Sequence, residues 1–188
     1  MKEVIFLIIF ICIIGSVEKT KAQETDQQAN SKSETVQLLN KQGVLLLKDF
    51  YDIGKVNIPF SSTIFFRNIV ITNITTGEKS GALRISINGH IGTLDFDEIE
   101  GCIKSITYIK RNIINTIPNN YKEFIYTTKD GLTLGAYIND NKKTKEWMIF
   151  IKSQWHINAS MNSMNIDKID EIISMLNNSL DNLRLHLK

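Results

Sequence analysis

Two glycines stand four residues apart in the segment YKEFIYTTKDGLTLGAYIND, at Gly131 and Gly135. A glycine loop binds phosphate when a strand precedes it and a helix follows, because the N–H groups of the first helical turn then face the anion. Here a second alternating apolar segment follows, and Gly135 falls inside it. We therefore predict a hairpin turn at residues 129–131, with a positive φ at Gly131 and close packing or a bulge at Gly135.

The acidic segment DFDEIEG begins at Asp95 and offers carboxylates for a metal ion or for acid–base catalysis. A calcium loop starting there needs an oxygen ligand at its fifth position, glycine at its sixth and glutamate at its twelfth, where the chain has Ile99, Glu100 and Ile106. Asp97 and Glu100 share a helical face, as a pair of glycosidase carboxylates could. Acidic residues at the start of a helix usually stabilise its N-terminus, so we predict helix capping by Asp95.

The histidines and the one cysteine outside the N-terminal segment are scattered along the chain. His90, His156 and His186 show no metal-ligand spacing, and no Gly-x-Ser-x-Gly motif is present. Serines are plentiful, so a hydrolase site assembled from distant residues stays open as an alternative. Cys102 adjoins the apolar face of a predicted helix, which indicates a buried, unreactive thiol. We predict no cofactor and no metal ion.

A basic cluster and an aromatic residue are the candidate binding residues. Lys142, Lys143 and Lys145 lie in a polar loop, and Trp155 and His156 follow the last strand of the same predicted sheet. An aromatic residue beside a basic loop is typical of a modest recognition patch. The alternative is a solvated loop with Trp155 covering the core.

The N-terminus, MKEVIFLIIFICIIGSVEKTKAQ, has a lysine, an apolar run too short for a membrane span, and a small residue at Ala22. This pattern predicts a signal peptide at residues 1–22, followed by a flexible leader at 23–34 and a single α+β domain at 35–188. We therefore expect a secreted or periplasmic protein with no stable membrane anchor after cleavage.

The predicted mature chain is nearly neutral and retains one cysteine. The full chain has 22 basic and 20 acidic residues, and the signal peptide removes three and two of them, which leaves a net charge of +1. Such a balance gives no electrostatic reason to bind nucleic acid. With Cys102 alone, no intrachain disulfide can form, so an apolar core must stabilise the domain.

Apolar periodicity predicts a mainly antiparallel β-sheet, for which a partly open barrel is one arrangement, with two helices. Residues 35–40 and 44–50 are interpreted as strands, as are two segments within residues 62–89 joined by a turn at 75–79. The runs VLLL and IVI indicate strands covered on both sides, with a helix segment as the alternative. A middle helix is predicted around 96–114, ending before Pro118, and a three-stranded meander follows it.

The C-terminal segment predicts a helix around 167–187. Six apolar residues form one stripe along it, which predicts packing on the domain's own sheet: Ile169, Ile173, Leu176, Leu180, Leu183 and Leu187. The alternative is a helix that docks on a partner subunit.

The segments LLNKQGVLLLKDFYDIGKV, LDFDEIEGCIKSITYI and YTTKDGLTLGAY together resemble a family of small secreted proteins of Bacteroidetes-type bacteria, over residues 35–151. The resemblance implies export and one α+β domain, and it transfers no functional residue. The order of elements is also similar to that of pleckstrin-homology-like domains, which concerns architecture alone. The favoured function is a non-enzymatic binding or interaction domain for a protein or small-molecule ligand.

Overall fold

The protein has an α+β fold with two four-stranded antiparallel sheets, as seen in a computed structural model that describes residues 33–59, 61–140, 145–153 and 161–188. The predicted signal peptide lies outside these residues. The described strands form two separate sheets rather than one barrel. The α+β fold class predicted from periodicity is confirmed.

Sheet 1 has the order β1-β2-β3-β4 and consists of Leu46–Asn57, Thr63–Asn73, Lys79–Ile87 and His90–Asp95. Sheet 2 has the order β5-β6-β7-β8 and consists of Glu123–Thr127, Thr133–Asn139, Glu146–Lys152 and Met161–Asn165. The described residues form three α-helices: α1, Glu34–Leu39, α2, Phe96–Asn112, and α3, Ile169–His186. A 3₁₀ turn at Ile166–Lys168 precedes α3. None of the helices in the described part of the chain has the length and hydropathy of a membrane span.

Both long helices are confirmed close to their predicted bounds, but the first predicted strand is wrong. Residues 35–39 belong to α1, with Asn40 as its C-cap, and do not form a strand, because Ser33 is a helix N-cap whose Oγ accepts a hydrogen bond from the Val36 N–H at 3.2 Å. Leu38, on the side of α1 that faces sheet 1, is buried against that sheet. A cap and one anchoring leucine thus decide the conformation of this short apolar segment.

The two apolar runs that predicted doubly covered strands differ in the structure. Ile69, Val70 and Ile71 in β2 are all buried, as predicted. In the VLLL run the prediction is wrong, because Leu45 is 68% exposed and Leu47 is 47% exposed. Leu46 between them is half-buried against the cluster around Leu38, and the run leads into β1, an edge strand of sheet 1.

The main core lies between the inner faces of the sheets and the helices α2 and α3. It contains fully buried residues of both sheets, such as Phe66 and Leu134, together with Ile106 of α2 and Leu176 of α3. The apolar stripe of α3 is therefore packed inside its own domain. The buried stripe is rotated slightly from the predicted one, since Ile172 is fully buried whereas Ile173, which the spacing favoured, is half-buried.

A buried polar bridge fixes α3 on sheet 1. Asn68 donates from Nδ2 to the Ser179 carbonyl at 2.9 Å, and the Ser179 hydroxyl donates to Asn68 Oδ1 at 2.6 Å. Both residues are fully buried. Because an unpaired polar group is costly in the core, these bonds select one axial position of the helix.

The face of sheet 1 opposite the main core, called here the outer face, is only partly covered. Helix α1 packs on one end of it, where Leu38 contacts a small buried cluster of Ile69, Ile71 and Ala82. Beyond α1 the same face leaves large apolar side chains exposed, namely Phe50, Phe65 and Ile91. Exposed aromatic residues on a sheet face are a feature of interaction surfaces.

Candidate functional site

The glycine segment is a hairpin turn, as predicted. Gly131 has a φ of +82°, and its N–H donates to the Thr128 carbonyl at 3.0 Å between β5 and β6. No helix follows it, so its N–H groups are not arranged as in a phosphate-binding loop. Gly135 lies in β6, where it packs closely against the neighbouring strand.

The acidic segment connects the start of α2 to the start of α1 and to the hairpin before β6, and this set of contacts is called here the α2 joint. Asp95 is the N-cap of α2 and forms the predicted capping box with Glu98. Its two carboxylate oxygens also accept hydrogen bonds from the Ser33 hydroxyl and the Glu34 N–H, at 2.9 and 2.8 Å. Glu98 accepts from the Asp95 and Lys129 N–H groups and thereby ties α2 to the hairpin. Burial raises the pKa of Glu98.

The remaining acids of this segment face separate cations. Asp97 pairs with Lys129 at 2.6 Å, and Glu100 pairs with Arg184 of α3. The oxygens of Asp95, Asp97 and Glu98 lie within 4.8 Å of one another, a spacing that could hold a cation. Because hydrogen bonds and an ion pair account for these oxygens, we assign the cluster to helix capping.

Replacement of Asp95 by alanine should destabilise the protein more than loss of a helix cap alone. A cap contributes about 1 kcal/mol. Here the substitution also removes the carboxylate that accepts from the buried Ser33 hydroxyl and from the Glu34 N–H, so we expect a loss of about 2–4 kcal/mol in the free energy of unfolding. Urea unfolding measures it. The matched variant Asp97→Ala removes an exposed ion pair and should change stability by less than about 1 kcal/mol. Equal losses of stability in the two variants would contradict the role of Asp95 in the α2 joint.

Cys102 is fully buried on the inner side of α2, as predicted. Burial, with a smaller contribution from Glu98, raises the pKa of its thiol to about 12. Since the thiolate is the reactive form, native protein at pH 8 should react with a thiol reagent roughly a thousandfold more slowly than unfolded protein. Absorbance of the released leaving group follows the reaction. A native rate within tenfold of the unfolded rate would contradict burial.

The histidines show no catalytic arrangement within the described residues. His186 stacks on Tyr51 with ring centroids 3.9 Å apart, and neither it nor His90 has a side-chain hydrogen bond to a described serine or carboxylate. His156 lies outside the described residues. A histidine-dependent nucleophile has therefore no support from the part of the chain that the structure describes.

The predicted binding residues are mostly outside the described part of the chain. Lys142, Lys143, Trp155 and His156 fall there, so that patch stays a prediction. Lys145 is exposed before β7, and its ammonium group donates to the Asn119 carbonyl at 2.6 Å. It therefore contacts the loop before sheet 2.

A cleft of about 260 Å³ lies between α1 and the outer face of sheet 1, and it is called here the outer cleft. Its lining combines apolar and polar side chains. The apolar ones are Leu39, Phe50, Ile69 and Ile91. The polar ones are Thr35, Lys48, Arg84 and Thr93. An apolar cavity with a few convergent polar groups is the usual form of a small-molecule site.

Strand register explains why these residues meet. Phe50 of β1 pairs with Ile69 of β2, and Arg84 of β3 pairs with Thr93 of β4. Directly paired residues share a face of the sheet, so four strands contribute to one wall. The guanidinium carbon of Arg84 lies 5.5 Å from the centroid of the Phe50 ring, within the range of a cation–π contact.

Arg84 is the distinctive group of the outer cleft. It is half-buried, and its side chain forms no hydrogen bond or ion pair with any residue that the structure describes. Its cross-strand neighbour is another cation, Arg67, whose own partner is Asp52. Burial, followed by the nearby Arg67 charge, lowers the pKa of Arg84. Arg84 thus brings to the cleft a positive charge with which no described carboxylate pairs directly.

This cleft was not predicted from the sequence, although the sequence contains a signal for it. In β2 and β3 the side that carries Arg67 and Arg84 also carries Phe65 and Ile69, so aromatic and cationic residues alternate with the core-facing positions. Periodicity places these residues on one face, but only the pairing of separate strands and the position of α1 bring them around a cavity.

The chain matches none of the protein-family models against which it was compared. A comparison with curated proteins also finds no match. The resemblances to a secreted bacterial family and to pleckstrin-homology-like domains therefore stay predictions, and the geometry of the outer cleft is the basis for function.

Proposed function

We propose that this protein is a non-enzymatic binding domain that holds a small organic anion in the outer cleft. The observation that carries the proposal is Arg84, a half-buried cation without an anionic partner among the described residues, placed over Phe50 in a cavity. Burial of a charge costs free energy unless a counter-charge is present, and a bound anion supplies one.

The cleft is suited to binding because its walls are held in place before a ligand arrives. Helix α1 forms one wall, and it is fixed by the hydrogen bonds to Asp95 and by contact of the Thr35 and Ser80 hydroxyls at 2.9 Å. The opposite wall is the hydrogen-bonded sheet. A preformed site loses little conformational entropy when a ligand binds.

Retention of organic anions tests the function. The purified mature protein is mixed with a set of small carboxylic acids and phosphate esters, and native mass spectrometry records what stays bound. We expect retention of an anion, recovered chemically unchanged, and at least a tenfold loss of retention in Arg84→Gln. The control is Arg67→Gln, which should retain the anion as the wild type does. Arg67 lies beside Arg84 on the same face, but it is paired with Asp52.

Three results would overturn the proposal: no anion retained, equal retention by Arg84→Gln and the wild type, or recovery of a hydrolysed product. The last result would favour the small hydrolase that the sequence analysis left open. Circular dichroism spectra of the variants are compared with that of the wild type, to check that each variant retains the fold.

The location of this function is part of the proposal, since an exported protein would meet its ligand in the periplasm or outside the cell. The predicted signal peptide supports this location. Cleavage near Ala22 should give an exported protein whose intact mass lacks residues 1–22. Exported protein that retains the segment would contradict it.

A further inference from the structure

The outer cleft differs from a general anion site in its charge, its shape and its size, and these three properties define a ligand. We propose that it binds a planar aromatic monocarboxylate of about two fused rings. This inference rests on the proposed function and deepens it.

The charge of the cleft favours one negative charge over two. Arg84 is half-buried, and its planar fork of N–H groups matches a carboxylate, whereas Lys48 is exposed at the rim, where water and salt screen its charge. The Thr93 hydroxyl is already committed, because it donates to the Asp130 carboxylate. Asp130 therefore places a negative group behind that wall, which opposes a phosphate dianion.

The shape of the cleft favours a flat ligand. The guanidinium carbon of Arg84 lies over the Phe50 ring, 5.5 Å from its centroid, and Ile69, which pairs with Phe50, belongs to the strand between them. Leu39 of α1 also lines the cleft. Aromatic rings pack against aromatic and aliphatic walls over their whole face, whereas a flexible alkyl chain loses rotamer freedom there.

The size of the cleft sets the number of rings. A cavity of about 150 Å³ lined by apolar side chains accommodates benzene. The outer cleft has a volume of about 260 Å³. A fused two-ring body, with its carboxylate directed at Arg84, fits that volume.

Four matched probes test the ligand class by isothermal titration calorimetry on the mature protein. The probe is 2-naphthoate, and the comparisons are 2-naphthamide, which is isosteric and neutral, 2-naphthyl phosphate, which carries a second charge, and decanoate, which is a flexible monocarboxylate. We expect 2-naphthoate to bind at least tenfold more tightly than each of the other three. Arg84→Gln should weaken 2-naphthoate tenfold to a hundredfold, the effect of losing a charged hydrogen-bond donor.

Two further variants locate the ligand within the cleft. Phe50→Leu removes the ring beneath the guanidinium and should weaken 2-naphthoate more than decanoate, whereas Phe65→Leu, on the same face outside the cleft lining, should leave both unchanged. Both phenylalanines are exposed, so neither variant removes a core residue. Equal effects of Phe50→Leu and Phe65→Leu would overturn the assignment to the cleft.

The outcomes separate this inference from the function on which it rests. Tighter binding of decanoate or 2-naphthyl phosphate, still lost in Arg84→Gln, would overturn the aromatic monocarboxylate and leave the binding function standing. Absence of binding by all three anions, or binding that Arg84→Gln does not weaken, would overturn both. Equal binding of 2-naphthamide and 2-naphthoate would show that charge is not recognised, and would also overturn both.

Discussion

Gly135→Ala is expected to destabilise the domain by more than about 4 kcal/mol, or to prevent accumulation of folded protein. A Cβ atom built on Gly135 lies only 2.0 Å from the Phe124 carbonyl oxygen of β5 and 3.0 Å from the Phe150 ring of β7. A backbone oxygen cannot turn away as a side chain can. The clash can be relieved only if β5 moves off β6, which breaks their ladder and the hydrogen bond from the Tyr126 hydroxyl to Glu98.

The control for this prediction is a glycine that has a positive φ but open space around its Cα. Gly43 has a φ of +72°, and nothing lies within 4 Å of an added Cβ. Gly43→Ala should therefore cost only the backbone strain, about 1–2 kcal/mol. Thermal and urea unfolding of both variants gives the comparison. A Gly135→Ala protein as stable as Gly43→Ala would contradict the close approach of β5 and β6.

Leu180→Ala should lower the free energy of unfolding by about 2–5 kcal/mol. Leu180 is 6% exposed and belongs to the main core, where α3 packs against α2 and sheet 1. Truncation removes apolar contacts and leaves a cavity that the rigid neighbours fill only in part. The midpoint of urea unfolding at constant slope measures the loss.

The same helix offers a matched leucine for comparison. Leu185 is 68% exposed, so Leu185→Ala makes the identical chemical change outside the core and should alter stability by less than about 0.5 kcal/mol. If Leu180→Ala left the unfolding midpoint unchanged, α3 would be peripheral and available to dock on a partner subunit, which is the alternative that the sequence analysis kept open.

Local patterns that carry their own physical cause were predicted well from the sequence. The capping box of Asp95 and Glu98 satisfies N–H groups within four residues, and the turn at Gly131 needs a positive φ that glycine adopts without strain. The hairpin signal Asn88-Gly89, with φ values of 50° and 81°, was also present and marks β4, a strand that the sequence analysis missed.

Patterns whose outcome depends on a distant partner were predicted poorly. Residues 34–39 form a helix because Ser33 caps it and Asp95, sixty-two positions from Ser33, holds its start. Leu45 and Leu47 of the VLLL run are exposed where the chain enters β1, an edge strand of sheet 1. Neither fact is encoded in the nearby residues, since both arise from which elements lie beside them.

By itself the sequence determined the fold class, the two long helices, the burial of Cys102 and the turn at Gly131, because periodicity, capping and glycine conformation are properties of a few neighbouring residues. Only the tertiary structure decided that Phe50, Arg84 and Thr93, from three different strands, surround one cleft with α1 as its wall. A binding site is a relation between elements, set by strand register and helix placement, and these depend on long-range packing.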